Sequence, residues 1–176
     1  MTRGVFVDRD GVLNRAIVRN GRTYAPSSLA EFELLGGVSE AIRSLRQAGF
    51  RVIVVTNQPD VATGVQTRET VEAMHSHLRS HVDVDAIKAC FHVDGDQCAC
   101  RKPKPGMLLQ AAQEWDVDLT QSFMIGDTWR DIEAGRAAGC KTILVGSRYA
   151  EPPAPDPDAV VASLQEAASM ILAAAV

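Results

Sequence analysis

Short, mostly apolar runs alternate with amphipathic segments along the chain. The runs predict five strands, at residues 5–7, 51–55, 89–92, 122–125 and 141–145. Between them, apolar residues recur at helical spacing, which predicts helices at residues 38–48, 67–82, 106–115 and 131–138. Strands that are apolar on both faces belong in a sheet that is covered on both sides. The alternation therefore predicts an α/β fold with a doubly wound parallel sheet.

Two segments do not follow this alternation. Residues 14–35 have no clear period, and we expect a loop that overhangs the end of the sheet and meets a substrate. Residues 151–157 are rich in proline, which predicts a stiff, extended linker. After this linker, the alanine-rich residues 159–174 predict a helix that packs on the flank of the sheet.

Composition narrows the class of protein. With 176 residues, 46% of them hydrophobic, the chain suits a single domain over residues 1–176. The net charge is −4 and basic residues form no run, which argues against nucleic acid as a partner. No segment approaches the roughly 20 apolar residues of a membrane span, and the N-terminus lacks an apolar export stretch. We expect a cytoplasmic monomer that acts on a small soluble molecule.

Acidic residues follow two of the predicted strands. Asp8 and Asp10 end the first strand, and because residues i and i+2 of an extended segment point the same way, both carboxylates leave on one side. Gly11 then allows the chain to turn. Asp127 follows the fourth strand, and these carboxylates would repel one another without a cation, for which Mg²⁺ is suited. Asp131, one helical turn further, is expected to brace the site. Each acid alone could instead end a strand or cap a helix.

Groups suited to a phosphate lie near other strand ends. Thr56, Asn57 and Gln58 follow the second strand, where a hydroxyl, two amides and outward-pointing backbone N–H groups can receive a phosphate. Lys102 and Lys104 precede a helix, whose positive end repels lysine unless an anion lies nearby. A nucleophilic carboxylate, a second acid, a hydroxyl, a lysine and a magnesium site are the parts needed to cleave a phosphate ester through an aspartyl-phosphate.

Three of the four cysteines lie within eleven residues, together with a histidine. In a reducing compartment this spacing favours a metal over disulfides. Cys90, His92, Cys98 and Cys100 form a complete tetrahedral set for Zn²⁺, which leaves no position for a reactive water. We therefore expect a structural zinc that holds loop 90–100 and directs the basic residues after it into the crevice. This short loop takes the place of a large cap domain, so that the site stays open.

The remaining cysteine and three of the histidines receive structural interpretations. Cys140 stands alone after Ala-Ala-Gly, as expected of a small, buried apolar residue. His75, His77 and His81 lie in a polar helix at spacings of two and four, and we interpret them as solvated surface residues.

The order of the motifs carries a family resemblance. The chain resembles the haloacid dehalogenase (HAD) superfamily of phosphatases, which have a Rossmann-like fold, in four motifs: Asp8-x-Asp10-Gly11, Thr56-Asn57, Lys102 and Gly126-Asp127-x-x-x-Asp131. Within the superfamily, the Asp-Arg-Asp-Gly opening, the cysteine cluster and residues 101–107 resemble the D-glycero-D-manno-heptose 1,7-bisphosphate 7-phosphatases. The histidinol-phosphate phosphatases are the nearest alternative. Thr128 and Pro59 depart from the heptose enzymes, which often have lysine and serine there, so the sugar stays open.

The resemblance implies catalytic roles. Asp8 would be the nucleophile that attacks phosphorus, and Asp10 would protonate the leaving oxygen and then activate a water. Mg²⁺ would be bound by the Asp8 carboxylate, the Asp10 backbone carbonyl and Asp127. Thr56 and Lys102 would hold the oxygens of the transferring phosphate.

Substrate contacts and activity follow from the same resemblance. Arg101 has a planar fork suited to a second phosphate or to hydroxyls. Sugar contacts are expected from Asn57, Gln58, Tyr24 and Thr128. The implied activity is magnesium-dependent removal of the 7-phosphate from the heptose bisphosphate. A histidinol-phosphate phosphatase and a non-catalytic, zinc-stabilised phosphate-binding module remain alternatives, and the intact pair of Asp8 and Asp10 disfavours the second.

Overall fold

The computed structural model describes residues 1–146 and 155–174. The strands are β1 (Thr2–Val7), β2 (Ile17–Arg19), β3 (Arg22–Tyr24), β4 (Arg51–Asn57), β5 (Ala86–Cys90), β6 (Val117–Gly126), β7 (Lys141–Val145) and β8 (Ala159–Val161). The helices are α1 (Val38–Gln47), α2 (Arg68–His81), α3 (Gly106–Trp115), α4 (Trp129–Ala138) and α5 (Leu164–Ala174). Six strands form one sheet in the order β5-β4-β1-β6-β7-β8, and its pairings are parallel.

Side chains of the sheet alternate between two apolar layers. In β1, Val5 and Val7 point to the layer that contains residues of α1, α2 and α5, whereas Phe6 points to the layer with residues of α3 and α4. All three are fully buried. Burial on both faces explains why the central residues of β1 are apolar on both sides. The doubly wound α/β fold that the sequence predicts is confirmed.

The C-terminal segment differs from the prediction of a single helix over residues 159–174. Residues Ala159–Val161 instead form β8 beside β7, and α5 begins at Leu164. Val160 and Val161 are β-branched, and pairing with β7 overrides the alanine-rich composition. The Ser163 hydroxyl accepts a hydrogen bond from the Glu166 amide at 3.3 Å, a capping contact at the start of α5. Of the predicted linker, residues 151–154 lie outside the described residues, and residues 155–157 form neither helix nor strand.

Residues 14–35 contain a small antiparallel hairpin, where the sequence predicts a loop without period. Strand β2 pairs with β3 across Asn20 and Gly21, whose φ angles are both positive, at 51° and 72°. Such angles are typical of a type I′ turn, for which Asn-Gly is the strongest sequence signal. The turn is therefore visible in the sequence, although strands of three residues are too short to show alternation.

The carboxyl ends of β1, β4 and β6 lie side by side at the centre of the sheet. Val7 of β1 is in register with Val54 of β4 and with Ile125 of β6, so β1 and β6 end at about the same level and β4 continues to Asn57. In parallel sheets, ligands bind in the crevice beyond such ends. Among the helices that the structure describes, none has the length and apolarity that crossing a membrane requires.

Candidate active site

Three acidic side chains converge beyond the ends of β1 and β6. Asp8 follows β1, and its amide donates a hydrogen bond of 2.9 Å to the Ile125 carbonyl of β6. Asp127 follows β6, and Asp131 lies in the first turn of α4. Each of the three offers a carboxylate oxygen, and these atoms lie within 4.8 Å of one another. The structure thus brings together acids that the sequence separates by more than a hundred positions.

Two glycines make this close approach possible. Gly11 has a φ of 87°, which residues with a side chain rarely adopt, and a Cβ atom there would overlap the Asp127 carboxylate. A Cβ atom at Gly126 would overlap the Asp131 side chain. The glycines of both motifs are therefore needed for space between the acids.

Lys102 joins two of the acids. Its buried ammonium donates to Asp8 Oδ1 at 2.8 Å, to Asp131 Oδ1 at 2.6 Å and to the Val55 carbonyl at 2.8 Å. All three ammonium protons are thereby used. Asn57 fixes the backbone of this lysine, because its side-chain nitrogen donates to the Lys102 carbonyl at 3.0 Å and its oxygen accepts from the Lys102 amide at 3.1 Å.

The acids carry more negative charge than Lys102 neutralises. Burial and the Asp131 carboxylate raise the pKa of Asp8 to about 7, against the opposing effect of Lys102. Burial and the Asp8 carboxylate raise the pKa of Asp127 to about 9. Asp127 Oδ1 is buried and has no hydrogen-bond partner within the described ranges. A hard divalent cation would supply both the missing charge and the missing contact, so the donor set fits Mg²⁺.

Asp10 is anchored by three neighbours. Its Oδ1 accepts from Arg9 Nε at 3.1 Å and from Asn14 Nδ2 at 2.9 Å. Its Oδ2 accepts from Gln58 Nε2 at 2.8 Å and from Arg9 Nη2 at 3.2 Å. Gln58 also donates to the Thr56 hydroxyl at 2.9 Å. The Asp10 side chain is still 16% exposed and lines the pocket, so these contacts orient the carboxylate without enclosing it.

Two residues behind Asp10 are not predicted from the sequence. Arg9 is completely buried, and its Nη1 lies 3.1 Å from Nε2 of His75. The interpretation of His75 as a solvated surface residue is wrong, because the side chain is mostly buried, and burial together with Arg9 lowers its pKa to about 4. His75 lies four residues after Val71 and next to Met74, at the edge of the buried face of α2. That spacing is the signal that indicates its burial.

The other histidines of α2 and the fourth cysteine lie outside the pocket. His77 is half-buried and packs edge-on against Phe32, with ring centroids 6.0 Å apart. The prediction that His77 is a solvated surface residue is therefore only partly right. His81 is exposed, in agreement with the prediction. Cys140 is buried at 7% exposure, which confirms its interpretation as a small apolar core residue.

The end of β5 and the loop after it bring together Cys90, His92, Cys98 and Cys100. The three sulfur atoms and His92 Nδ1 are separated by 2.8 Å to 3.7 Å in five of their six pairs. Sulfur ligands of a tetrahedral zinc at about 2.3 Å are about 3.7 Å apart. The four cysteines of the chain form no disulfide. The cluster therefore fits a structural Zn²⁺ with four protein ligands.

An open pocket of about 240 Å³ lies against the acids. Of the predicted substrate contacts, the residues that line it are Tyr24, Asn57, Arg101 and Thr128. Thr56 and Gln58 are buried and do not line it; their polar groups contact each other, and Gln58 contacts Asp10. The Thr128 hydroxyl and the Thr128 amide donate to Asp131 Oδ2 at 2.9 Å and 3.1 Å, so Asp131 fixes Thr128 at the start of α4.

Residues 90–100, which we call the zinc loop, contact the arginines that form one wall of the pocket. Arg101 donates to Asp94 Oδ1 at 2.6 Å and to the His92 carbonyl at 3.3 Å. Arg130, which is not predicted from the sequence, lines the pocket and lies 3.6 Å from Asp94 Oδ2. Lys104 is exposed and donates to the Cys98 carbonyl at 2.7 Å, away from the acids.

Known proteins match most or nearly all of the chain. The family model described as "HAD-hyrolase-like" matches residues 99–167. The D-glycero-beta-D-manno-heptose-1,7-bisphosphate 7-phosphatase of Pseudomonas aeruginosa is 38% identical over 98% of this chain and 99% of its own length. The protein of the same name from Yersinia pestis is 39% identical over 78% of this chain and 77% of its own length.

A solved structure shares both the fold and the sequence. The crystal structure of D,D-heptose 1.7-bisphosphate phosphatase from B. bronchiseptica, complexed with magnesium and phosphate, gives a TM-score of 0.85 at 35% identity and covers 98% of this chain and 99% of that one. The resemblance drawn from the sequence motifs is confirmed. The chain belongs to the HAD-like phosphatases, which are phosphoric monoester hydrolases, and within them to the family of the D-glycero-β-D-manno-heptose-1,7-bisphosphate 7-phosphatases.

Proposed function

We propose that this protein removes the 7-phosphate of D-glycero-β-D-manno-heptose 1,7-bisphosphate in a magnesium-dependent reaction that passes through a phosphorylated Asp8. The observation that carries the proposal is the cluster of Asp8, Asp127 and Asp131 around the buried Lys102 ammonium, beside an open pocket. The names of the relatives, which match nearly the full chain, support the choice of substrate.

Asp8 is suited to be the nucleophile. Lys102 binds its Oδ1, and Oδ2 makes no hydrogen bond with the residues that the structure describes, so Oδ2 is free to attack. In the first step, Oδ2 forms a bond to phosphorus while the bond between phosphorus and the sugar oxygen breaks. The Lys102 charge offsets the repulsion between the carboxylate and the phosphate.

Asp10 is suited to move the protons of both steps. It gives a proton to the leaving sugar oxygen, which becomes the 7-hydroxyl. The Asp10 carboxylate then takes a proton from the water that attacks phosphorus, and the bond from phosphorus to Asp8 breaks. Inorganic phosphate leaves, and both carboxyl groups return to their starting states.

The Asp8 and Asp127 carboxylates and the Asp10 backbone carbonyl would hold Mg²⁺. The unpartnered, buried Asp127 Oδ1 supports this assignment. When bound, the ion supplies positive charge next to the nucleophile and the phosphate. Asp131 is engaged by Lys102 and Thr128, so we assign it a supporting role.

Residues that line the pocket supply the substrate contacts of the proposal. Arg101 and Arg130 offer positive charge for the 1-phosphate, while Tyr24, Asn57 and Thr128 lie where a sugar would sit. A structural Zn²⁺ would hold the loop that carries Arg101, and a reducing compartment such as the cytoplasm would keep its thiols available. We also propose that the protein acts as a monomer.

The activity is tested by measuring phosphate release from the heptose 1,7-bisphosphate, as both anomers, and from histidinol phosphate. We expect magnesium-dependent release from the heptose bisphosphate and none from Asp8→Asn. Release by the Asp8→Asn variant at the wild-type rate would refute the nucleophile assignment. Faster release from histidinol phosphate would show that the proposed substrate is wrong and that the protein is a histidinol-phosphate phosphatase. No release from any of these esters would favour a non-catalytic phosphate-binding module.

The covalent intermediate is tested separately. Substrate labelled with ³²P at the 7-phosphate is mixed with the enzyme and quenched in acid within milliseconds. An acyl phosphate on Asp8 should remain with the protein and be released by hydroxylamine, which cleaves acyl phosphates. Single-turnover phosphate release without any protein-bound label would argue for direct attack by water.

A further inference from the structure

The guanidinium of Arg9 is a buried charge next to the proposed acid–base residue. Arg9 has no exposed surface, and its Nε and Nη2 donate to the two oxygens of Asp10. The face of the guanidinium lies 5.5 Å from the ring centroid of Phe32. A buried arginine needs partners for the rest of its donors, because an unpaired buried charge is costly.

His75 of α2 supplies the partner on the other side of the guanidinium. The distance between Arg9 Nη1 and His75 Nε2 is 3.1 Å. Arginine has donors only, so His75 Nε2 accepts this hydrogen bond, and the ring is neutral with its proton on Nδ1. The lowered pKa of His75 agrees with that state, in surroundings that include Arg79 and Asp10 as well as Arg9. His75 thus takes up the Arg9 donor that points away from Asp10.

The three side chains form a linear chain of contacts. His75 fixes the direction of the Arg9 fork, and the fork fixes the Asp10 carboxylate on the pocket side. Asn14 and Gln58 also bind Asp10, but neither forms a hydrogen bond with His75. Because general acid catalysis depends on the position of the proton relative to the leaving oxygen, a loss at the far end of this chain can change the rate.

We propose that His75 is a positioning residue which, through Arg9, holds the Asp10 carboxylate in the orientation for proton transfer to the leaving oxygen. The inference rests on the proposed function, since it assumes that Asp10 is the general acid. It adds α2, whose residues do not line the pocket, to the elements that determine catalysis.

Leaving groups of different basicity separate this role from a structural one. A sugar alkoxide must be protonated as it leaves, whereas p-nitrophenolate leaves without a proton. The ratio kcat/KM reports only steps up to the departure of the leaving group, so the later hydrolysis of phospho-Asp8 does not enter it. A defect in the Asp10 proton donor should therefore lower kcat/KM for the sugar ester selectively.

The test compares His75→Leu with the wild type on the heptose bisphosphate and on p-nitrophenyl phosphate. We expect kcat/KM to fall by at least about tenfold for the sugar ester and by less than about twofold for the aryl ester. His75→Gln places an acceptor near the position of Nε2 and should recover most of the sugar-ester activity. His81→Leu, an exposed position on the same helix, is the matched control and should behave as the wild type.

A double-mutant cycle adds a second readout. In the Asp10→Asn background, His75→Leu should cause no further loss with the sugar ester, because the group that it positions is already gone. If His75→Leu does not fold, His75→Asn replaces it, since its shorter amide does not reach Arg9.

The outcomes are distinguishable from a failure of the proposed function. A wild-type protein that hydrolyses neither ester would contradict the function itself. If the wild type is active and the His75 variants lose equal activity on both esters, or His75→Leu and Asp10→Asn act additively, the positioning role is overturned. Unchanged sugar-ester activity in a folded His75→Leu would also overturn it.

Discussion

The Lys102 side chain supplies the positive charge that pairs with two acids of the site. Its ammonium pairs with Asp8 and with Asp131, and removing it leaves two buried carboxylates without a counter-charge. We expect Lys102→Met to lower kcat for phosphate release by at least about a hundredfold, because the transferring phosphate also loses a positive neighbour. Lys104→Met is the matched control, since Lys104 is exposed and its ammonium donates to the Cys98 carbonyl rather than to the acids. Similar losses in both variants would contradict the role of Lys102.

The sequence predicts the role of a single residue when the residues next to it explain its position. Asp8 and Asp10 end an apolar strand just before Gly11, and Asp127 follows an apolar strand and Gly126, so their convergence can be anticipated from the chain alone. Arg9 and His75 cannot be paired in this way. Nothing local shows that an arginine between two acids is buried, because its partner on α2 lies 66 positions away.

The zinc loop gives a prediction at the scale of an element. The loop between β5 and α3 has little apolar content, and its position relative to the pocket depends on Cys90, His92, Cys98 and Cys100. We expect verified removal of zinc to lower Tm by at least about 5 °C and to raise KM for the heptose bisphosphate, because Arg101 loses its support. The measurements are thermal unfolding and steady-state kinetics at saturating Mg²⁺. Unchanged melting after zinc loss would count against a structural metal, and recovery on adding zinc is the control.

The hairpin of β2 and β3 gives a second prediction at this scale. Tyr24 lines the pocket and is 44% exposed, whereas Val18, on the neighbouring strand, is 68% exposed and does not line it. We expect Tyr24→Ala to raise KM for the heptose bisphosphate by about threefold to tenfold with little change in kcat, because it removes binding rather than chemistry. Val18→Ala should leave both constants unchanged. A fall in kcat without a change in KM would assign Tyr24 a different role.

Elements that depend on local pattern are predicted well, and those that depend on a distant partner are not. The helix over residues 106–115 and the strand over residues 141–145 have the predicted bounds, since their apolar spacing and flanking residues are clear. Strand β8 is missed because an alanine-rich segment favours a helix until β7 offers an edge to pair with. The hairpin is missed although its Asn-Gly turn is in the sequence.

For the whole molecule, the charges of the site connect stability to pH. The pKa values of Asp8 and Asp127, about 7 and about 9, lie above the ordinary value of 3.8, so the metal-free folded protein holds protons that the unfolded chain has released. The free energy of unfolding therefore falls as pH rises from about 4 to about 9. The proposed Mg²⁺ would bind the ionised carboxylates, so its stabilising effect should grow over the same range.

This relation is tested by thermal unfolding with and without Mg²⁺. We expect Mg²⁺ to raise Tm more at about pH 8.5 than at about pH 5.5. Asp127→Asn, which removes one ionisable ligand, should reduce both the pH dependence and the effect of Mg²⁺. An equal rise in Tm at the two pH values would show that the ion does not bind at these acids.

The contacts of the Lys102 ammonium also determine at what stage of synthesis the site can form. The ammonium contacts Asp8, in the first tenth of the chain, and Asp131, in the last third. An N-terminal fragment that ends before Asp131 therefore lacks part of the arrangement. During synthesis, a nascent polypeptide must expose residues beyond Asp131 outside the ribosome before it can turn over an ester. Measuring ester hydrolysis by ribosome-stalled chains of increasing length would thus show at which chain length folding of the site is complete.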